Sequence, residues 1–220
     1  MPTLTLTPTK HAQLDKASPD FNLSGDSDVL AIRNQLTPTA GTLRHVLTFS
    51  LATLPAGAAV ATAVVNLYYE DQSPASNQVA FRVHQLTKAW VEAEVTWNRY
   101  NAANLWATAG GDYNAASASG TTLGVFTSGL AQTLNVKALI TWGTDTLADF
   151  IFKFLTETED AATDTETHWD TRLFFNNKAP ELVITYDVSS YLWIEGADLH
   201  HVDAGNNERL AQHEGKQREF

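Results

Sequence analysis

Period-two alternation governs most of this chain. A chain so patterned buries one face of each strand and must satisfy its backbone by pairing with other strands. The stretch Ala61 to Tyr69 is rich in β-branched and aromatic residues, and Gln78 to His84 places Val79, Phe81 and Val83 on one face. Between them Glu70 to Asn77 is polar and holds Pro74, so the two strands are expected to form a hairpin. Thr42 to Ser50, Thr171 to Phe175 and Glu181 to Asp187 read as further strands, and Phe150, Phe152 and Phe154 share a face opposite Lys153. Helical period is confined to Val136 to Trp142, one or two turns ending at Gly143, where glycine can take the left-handed cap conformation. About eight short strands without a helical layer predict an all-β fold, a jelly-roll β-sandwich of two antiparallel sheets.

Composition narrows the function classes. The 220 residues include no cysteine, which removes disulfides, thiolate metal sites and cysteine nucleophiles. Fourteen bases stand against 25 acids, a net charge of −11, so a duplex-DNA or anionic-membrane surface is not expected. The 44% hydrophobic content suffices for a sizeable core, since a chain near this length buries roughly 70% of its unfolded surface. No stretch approaches the ~18 apolar residues of a membrane span, and the N-terminus lacks a basic region followed by an apolar one. The expectation is a chain without membrane insertion, unexported or passively released.

Along the chain, residues 1–11 read as an extended Thr/Pro arm, 12–187 as the sandwich and 188–220 as a short C-terminal hairpin or docking tail. The polar run Asn101 to Thr122 reads as a loop long enough to be functional or mobile. In the tail, Tyr191 to Glu195 and Leu199 to Asp203 read as strands separated by a turn, with charges thickening from Glu208 to Glu219. Too short to bury a core of its own, the tail should lean on a partner through Tyr191, Trp193, His200, His201 and Arg209.

Several segments, taken in order, carry a resemblance. They are Asp15 followed by Asp28 to Ile32, Leu43 to Leu51 followed by Leu54 to Ala58, Ala63 to Tyr69, Leu134 to Trp142 and Ala179 to Tyr186. The most specific is Trp90-Val-Glu92-Ala-Glu-Val95-Thr96-Trp97-Asn98, a W-x-E-x-x-V-T-W-N pattern. Over residues 12–187 the chain resembles the DNRLRE-type β-sandwich domain, which is related to carbohydrate-binding modules and to domains of large bacterial surface proteins. The resemblance implies a jelly roll and a glycan-binding ancestry. The basic groove residues it leads one to expect are few here, which argues against an acidic glycan as ligand.

Glu92 and Glu94, two apart, would share a strand face with Cα atoms about 6.5–7 Å apart, a spacing that loosely overlaps glycosidase carboxylates. Set between two tryptophans, they are better read as acids that hydrogen-bond loops or rim a sheet edge. G-x-S-x-G, H-E-x-x-H and glycine-rich phosphate loops are all missing, so no enzyme is expected. Adjacent strand residues point to opposite faces, so His200 and His201 cannot clasp one metal. The acids Glu159, Asp160, Asp164 and Glu166 could hold a structural Ca2+, although they fit no Ca2+-loop pattern and a solvated charged loop is the plainer reading. Trp90, Trp97 and Trp142 read as packing residues. Tyr100, Trp106 and Tyr113, in the polar run, are the candidate ligand-binding aromatics.

Two functions fit these observations. One is a non-enzymatic structural protein of a tailed-phage virion, a capsid decoration, fibre or adsorption accessory assembled in the host cytoplasm. Its partners would be other virion proteins and surface glycans, and it could form a homo-oligomer. The other is an extracellular carbohydrate-binding module of a polysaccharide-degrading system.

Overall fold

The computed structural model describes residues 1–24, 29–30, 42–68, 80–122, 131–154, 171–172, 179–188, 191–195, 198–202 and 208–211. The strands are β1 (Thr3–Leu6), β2 (Lys10–Asp15), β3 (Val29–Leu30), β4 (Leu43–Ser50), β5 (Ala58–Tyr68), β6 (Ala80–Leu86), β7 (Arg99–Asn101) and β8 (Asn104–Leu105). There follow β9 (Tyr113–Thr122), β10 (Ala131–Asn135), β11 (Leu147–Phe154), β12 (Thr171–Arg172), β13 (Glu181–Val188), β14 (Tyr191–Glu195), β15 (Asp198–Val202) and β16 (Glu208–Ala211). A four-stranded sheet runs β1-β13-β5-β10 and a five-stranded sheet β2-β4-β11-β6-β9, with antiparallel pairing throughout. The expected helical stretch is reduced to one 3-10 turn, Lys137–Leu139, and Gly143 does adopt a positive φ of 84°.

Alternation places the core between the sheets. Leu47 and Phe49 of β4, Val83 of β6 and Phe150, Phe152 and Phe154 of β11 meet Val65 and Leu67 of β5, Leu134 of β10 and Leu182 and Ile184 of β13. The rings of Phe49 and Phe150 pack tilted, 6.1 Å apart. Each such side chain contributes about 1.5–3 kcal/mol on burial.

Three expectations change. First, β5 and β6 are not a hairpin. They belong to different sheets, because their inward faces (Val65 and Val83) fill the same core from opposite sides. Second, the second half of the polar run is the ten-residue strand β9. Alanine, serine and glycine conceal its alternation, whereas its ladder to β6 is regular from Ala80↔Thr122 to His84↔Ala118. Third, residues 1–11 are extended but form no separate arm, since β1 pairs with β13 and β2 with β4, tying the first residues into both sheets.

The C-terminal segment forms its own antiparallel sheet, β14-β15-β16, with three strands where the sequence suggests two. The register sets Trp193 opposite His200 and His201 opposite Arg209.

Candidate functional site

The five-stranded sheet is covered on both faces. Odd positions of β4 enter the sandwich core, and even positions point outward, where Val46 joins Ala12 and Leu14 of β2, Ile151 of β11 and Leu86 of β6 in a second apolar layer. Residues 87–112 fold over this layer as a flap, bringing Trp90, Val95, Trp97 and Trp106 down onto it. β7 and β8 form a small ladder within the flap.

The W-x-E-x-x-V-T-W-N segment is the flap's anchor, and each of its named side chains has a structural task. Trp90, 2% exposed, donates its indole N–H to Asp149 Oδ1 at 3.2 Å. Glu92 accepts the main-chain N–H of His11 at 2.8 Å, coupling the flap to β2. Thr96 Oγ1 accepts the N–H groups of Asn98 and Arg99 at 3.2 and 3.1 Å, holding the turn. Asn98 Nδ2 donates to Asp20 at 3.0 Å, and Asn22 donates to the carbonyls of Glu92 and Val95. Glu92 and Glu94 therefore do not share a strand face. The Val95 N–H closes a turn on the Val91 carbonyl at 2.9 Å, and Glu94 instead accepts the Ala102 N–H at 2.9 Å.

The three candidate aromatics separate. Trp106 is 4% exposed and donates its indole N–H to the Thr96 carbonyl at 3.0 Å, so neither face is open to a ligand. It is the plug of the flap, a correction forced by the apolar layer beneath it. Tyr100 packs against it at 5.5 Å. Tyr113 stands at the margin, 4.7 Å from the His84 ring, with the Arg44 guanidinium 5.9 Å and Lys153 Nζ 5.6 Å from its centroid. Tyr113, Arg44, Thr87, Thr108 and Asp112 line a polar hollow of about 280 Å³. Asp112 folds its rim by accepting the N–H groups of Ala107 and Thr108 at 2.9 and 2.8 Å.

Arg44 lies over the Trp97 ring at 4.9 Å and donates to the Gly110 carbonyl at 2.6 Å. Gly110 has φ 89°, and a Cβ there would come within 2.6 Å of the guanidinium and 2.8 Å of Trp97; at Gly111, φ 107°, it would meet Ile151 at 2.8 Å. The pair Gly110-Gly111 is what lets the flap close. Sequence reading missed Arg44, Asp149 and Asp112. Only the alternation of β4 and β11, which puts a charge outward beside apolar residues, hints at the first two.

Two groups have shifted titration. Burial, with a smaller contribution from His11, pushes His45 well below its usual value. The hydrogen bond from the Tyr68 hydroxyl to Glu181, 2.7 Å, pushes that phenol up to about 12. Of the tail candidates Tyr191, Trp193, His200, His201 and Arg209, all lie in β14–β16. Glu159, Asp160, Asp164 and Glu166, the candidate Ca2+ ligands, lie outside the described residues, and the described residues bring together no group of three metal-ligating side chains.

No protein-family model matches this chain. A search of curated proteins finds no relative.

Proposed function

We propose that this chain is a non-enzymatic structural protein of a virus particle of the tailed-phage kind, displaying its sandwich to solvent and attached through β14–β16. The observation that carries this reading is the C-terminal sheet, which has a ladder of its own and, among the described residues, shares none with either sheet of the sandwich. Three strands so short cannot enclose a core and gain order by packing on another surface. The acids of the flap favour a structural role over a catalytic one. Glu92, Glu94 and Asp112 accept main-chain N–H groups, while Asp149 accepts Trp90 and Thr48, so each carboxylate is engaged as a strut. The resemblance to the DNRLRE-type sandwich belongs to the same proposal. Mass spectrometry of purified particles tests it: the chain is expected among the virion proteins, and its absence from them would sink the reading.

A carbohydrate-binding module is the second reading, favoured by Tyr113 at the rim of the polar hollow. With Trp106 buried, Tyr113 would carry the stacking contact alone. Loss of glycan retention in Tyr113→Ala is the expected result, and equal retention would exclude that site.

A further inference from the structure

His11 and His45 stand together on the inward face of the five-stranded sheet. Ala12 and Leu14 of β2 and Val46 of β4 point to the flap, so alternation turns His11 and His45 the other way, between the two sheets. Their rings lie parallel within 5°, 6.2 Å apart. Nδ1 of His11 and both ring nitrogens of His45 are buried and, among the described residues, have no hydrogen-bond partner. Native interiors rarely leave such groups unpaired, because their lost hydration is not replaced.

No described neighbour offsets a positive charge there. Lys10, Arg44 and Lys153 reach the flap side of the sheet, at Trp90, Trp97 and Tyr113, and Asp149 reaches Trp90 on that same side. Glu92 accepts the main-chain N–H of His11 at 2.8 Å. Asp15 shares the inward face of β2, but its Oδ1 accepts the Ala17 N–H at 2.8 Å. The facing sheet presents Leu182, Ile184 and Tyr186 of β13 and Val65 and Leu67 of β5, none of them charged in acid.

The strand that covers the pair lies where strands detach most easily. Among the described residues β1 and β2 are each the outermost strand of a sheet. The outer side of β2 carries one bridge, Gln13 to Leu23, with the N–H donor 3.5 Å from its acceptor, and β1 has four ladder pairs to β13. Residues 3–15 can therefore leave as one piece while β4-β11-β6-β9 and β13-β5-β10 stay paired. Against that stand the burial of Ala12 and Leu14, the β2–β4 ladder and the Lys10 ammonium on the Trp90 carbonyl at 3.2 Å.

We propose that residues 3–15 are an acid-released strap: protonation of the buried His11–His45 pair detaches β2 from β4 and takes β1 with it. Two cations stacked 6.2 Å apart without a counter-charge are costly, and detachment gives both rings to water. The closed form keeps His45 neutral to well below 6.5, whereas the open form takes up the proton near that value. Opening is thus favoured as pH falls below 6.5 and not above it. For one proton the opening constant rises up to about 30-fold between pH 7.5 and 5.0. Release bares the edge of β4 and uncovers Val46 and Ile151 beneath the flap, a surface present only in acid.

Hydrogen exchange of the full chain at pH 7.5 and 5.0 tests the strap, read as protection factors so that the intrinsic pH dependence of exchange divides out. Protection of β1 and β2 should fall at least about tenfold more than that of β5 and β11, and His45→Leu should show no such difference. The double variant Ala12→Cys, Val46→Cys keeps both histidines. These residues are register partners, and antiparallel partners have Cα atoms about 4.5 or 5.5 Å apart, within disulfide range. The chain has no other cysteine, so oxidation should abolish the acid loss of protection and reduction should restore it. No loss in β1 and β2, an equal loss in β5 and β11, a loss retained in His45→Leu or one unchanged by the disulfide would each overturn the proposal. Should His45→Leu fail to fold, the wild-type pattern and the disulfide decide.

Discussion

The indole N–H of Trp90 donates to the Asp149 carboxylate at 3.2 Å, and the Thr48 hydroxyl donates to the same oxygen. Two residues far apart in sequence, one in the flap and one on β4, thus converge on an acid of β11. Asp149→Ala leaves the Trp90 N–H without its partner and is expected to lower stability by about 1–3 kcal/mol, read from the urea midpoint at constant slope. A midpoint equal to wild type would show that the Trp90–Asp149 bond contributes nothing to holding the flap.

Gly110→Ala places a Cβ against Arg44 and Trp97 at a positive φ. The backbone penalty alone is about 1–2 kcal/mol, and the clash adds to it. Thermal melts should show a lower midpoint for this variant than for Gly57→Ala, where a Cβ meets open space.

Trp106 distinguishes a plug from a platform. Trp106→Ala should cost about 3–5 kcal/mol of stability, as removal of a buried indole does. A variant with wild-type stability and lost glycan retention would instead make Trp106 a ligand platform.

The pH dependence centres on His45, which is fully buried, stacked 6.2 Å from His11 and without a hydrogen bond on either ring nitrogen. The folded chain keeps it neutral to well below 6.5, whereas the unfolded chain takes up its proton near that value. As pH falls below 6.5 the unfolded state therefore binds more protons and stability drops, by up to about 1.4 kcal/mol for each unit that separates the two pKa values. His45→Leu should lose less stability than wild type between neutral and mildly acidic pH. Parallel curves from the two proteins would rule out His45 as the cause.

Removal of the tail should spare the sandwich. A chain ending at Val188, the last residue of β13, is expected to unfold within about 0.5 kcal/mol of the full chain. A large loss would show that β14–β16 pack on the sandwich.

Period two alone made the fold class legible, because Phe150, Phe152 and Phe154 or Val65 and Leu67 can only be buried together if the strand has one inward face. Strand partners were not legible. Alternation states that β5 and β6 each have a buried side, but not whether those sides lie next to each other or face each other across a core. β9 escaped notice because its alanines and serines carry little hydrophobic contrast. Much of the site was equally hidden. The sequence marks Trp106 as an aromatic in a polar run, and only the apolar layer of Ala12, Leu14, Val46 and Ile151 beneath it turns that ring inward.

By itself, then, the sequence determined that this is an antiparallel all-β protein and singled out its W-x-E-x-x-V-T-W-N segment as the most specific stretch. Tertiary structure decided that β11 is buried on both faces and that the acids of the flap are struts. The reason is physical: alternation is a local property of one strand, whereas exposure and hydrogen-bond partnership depend on which distant segments the fold lays over it.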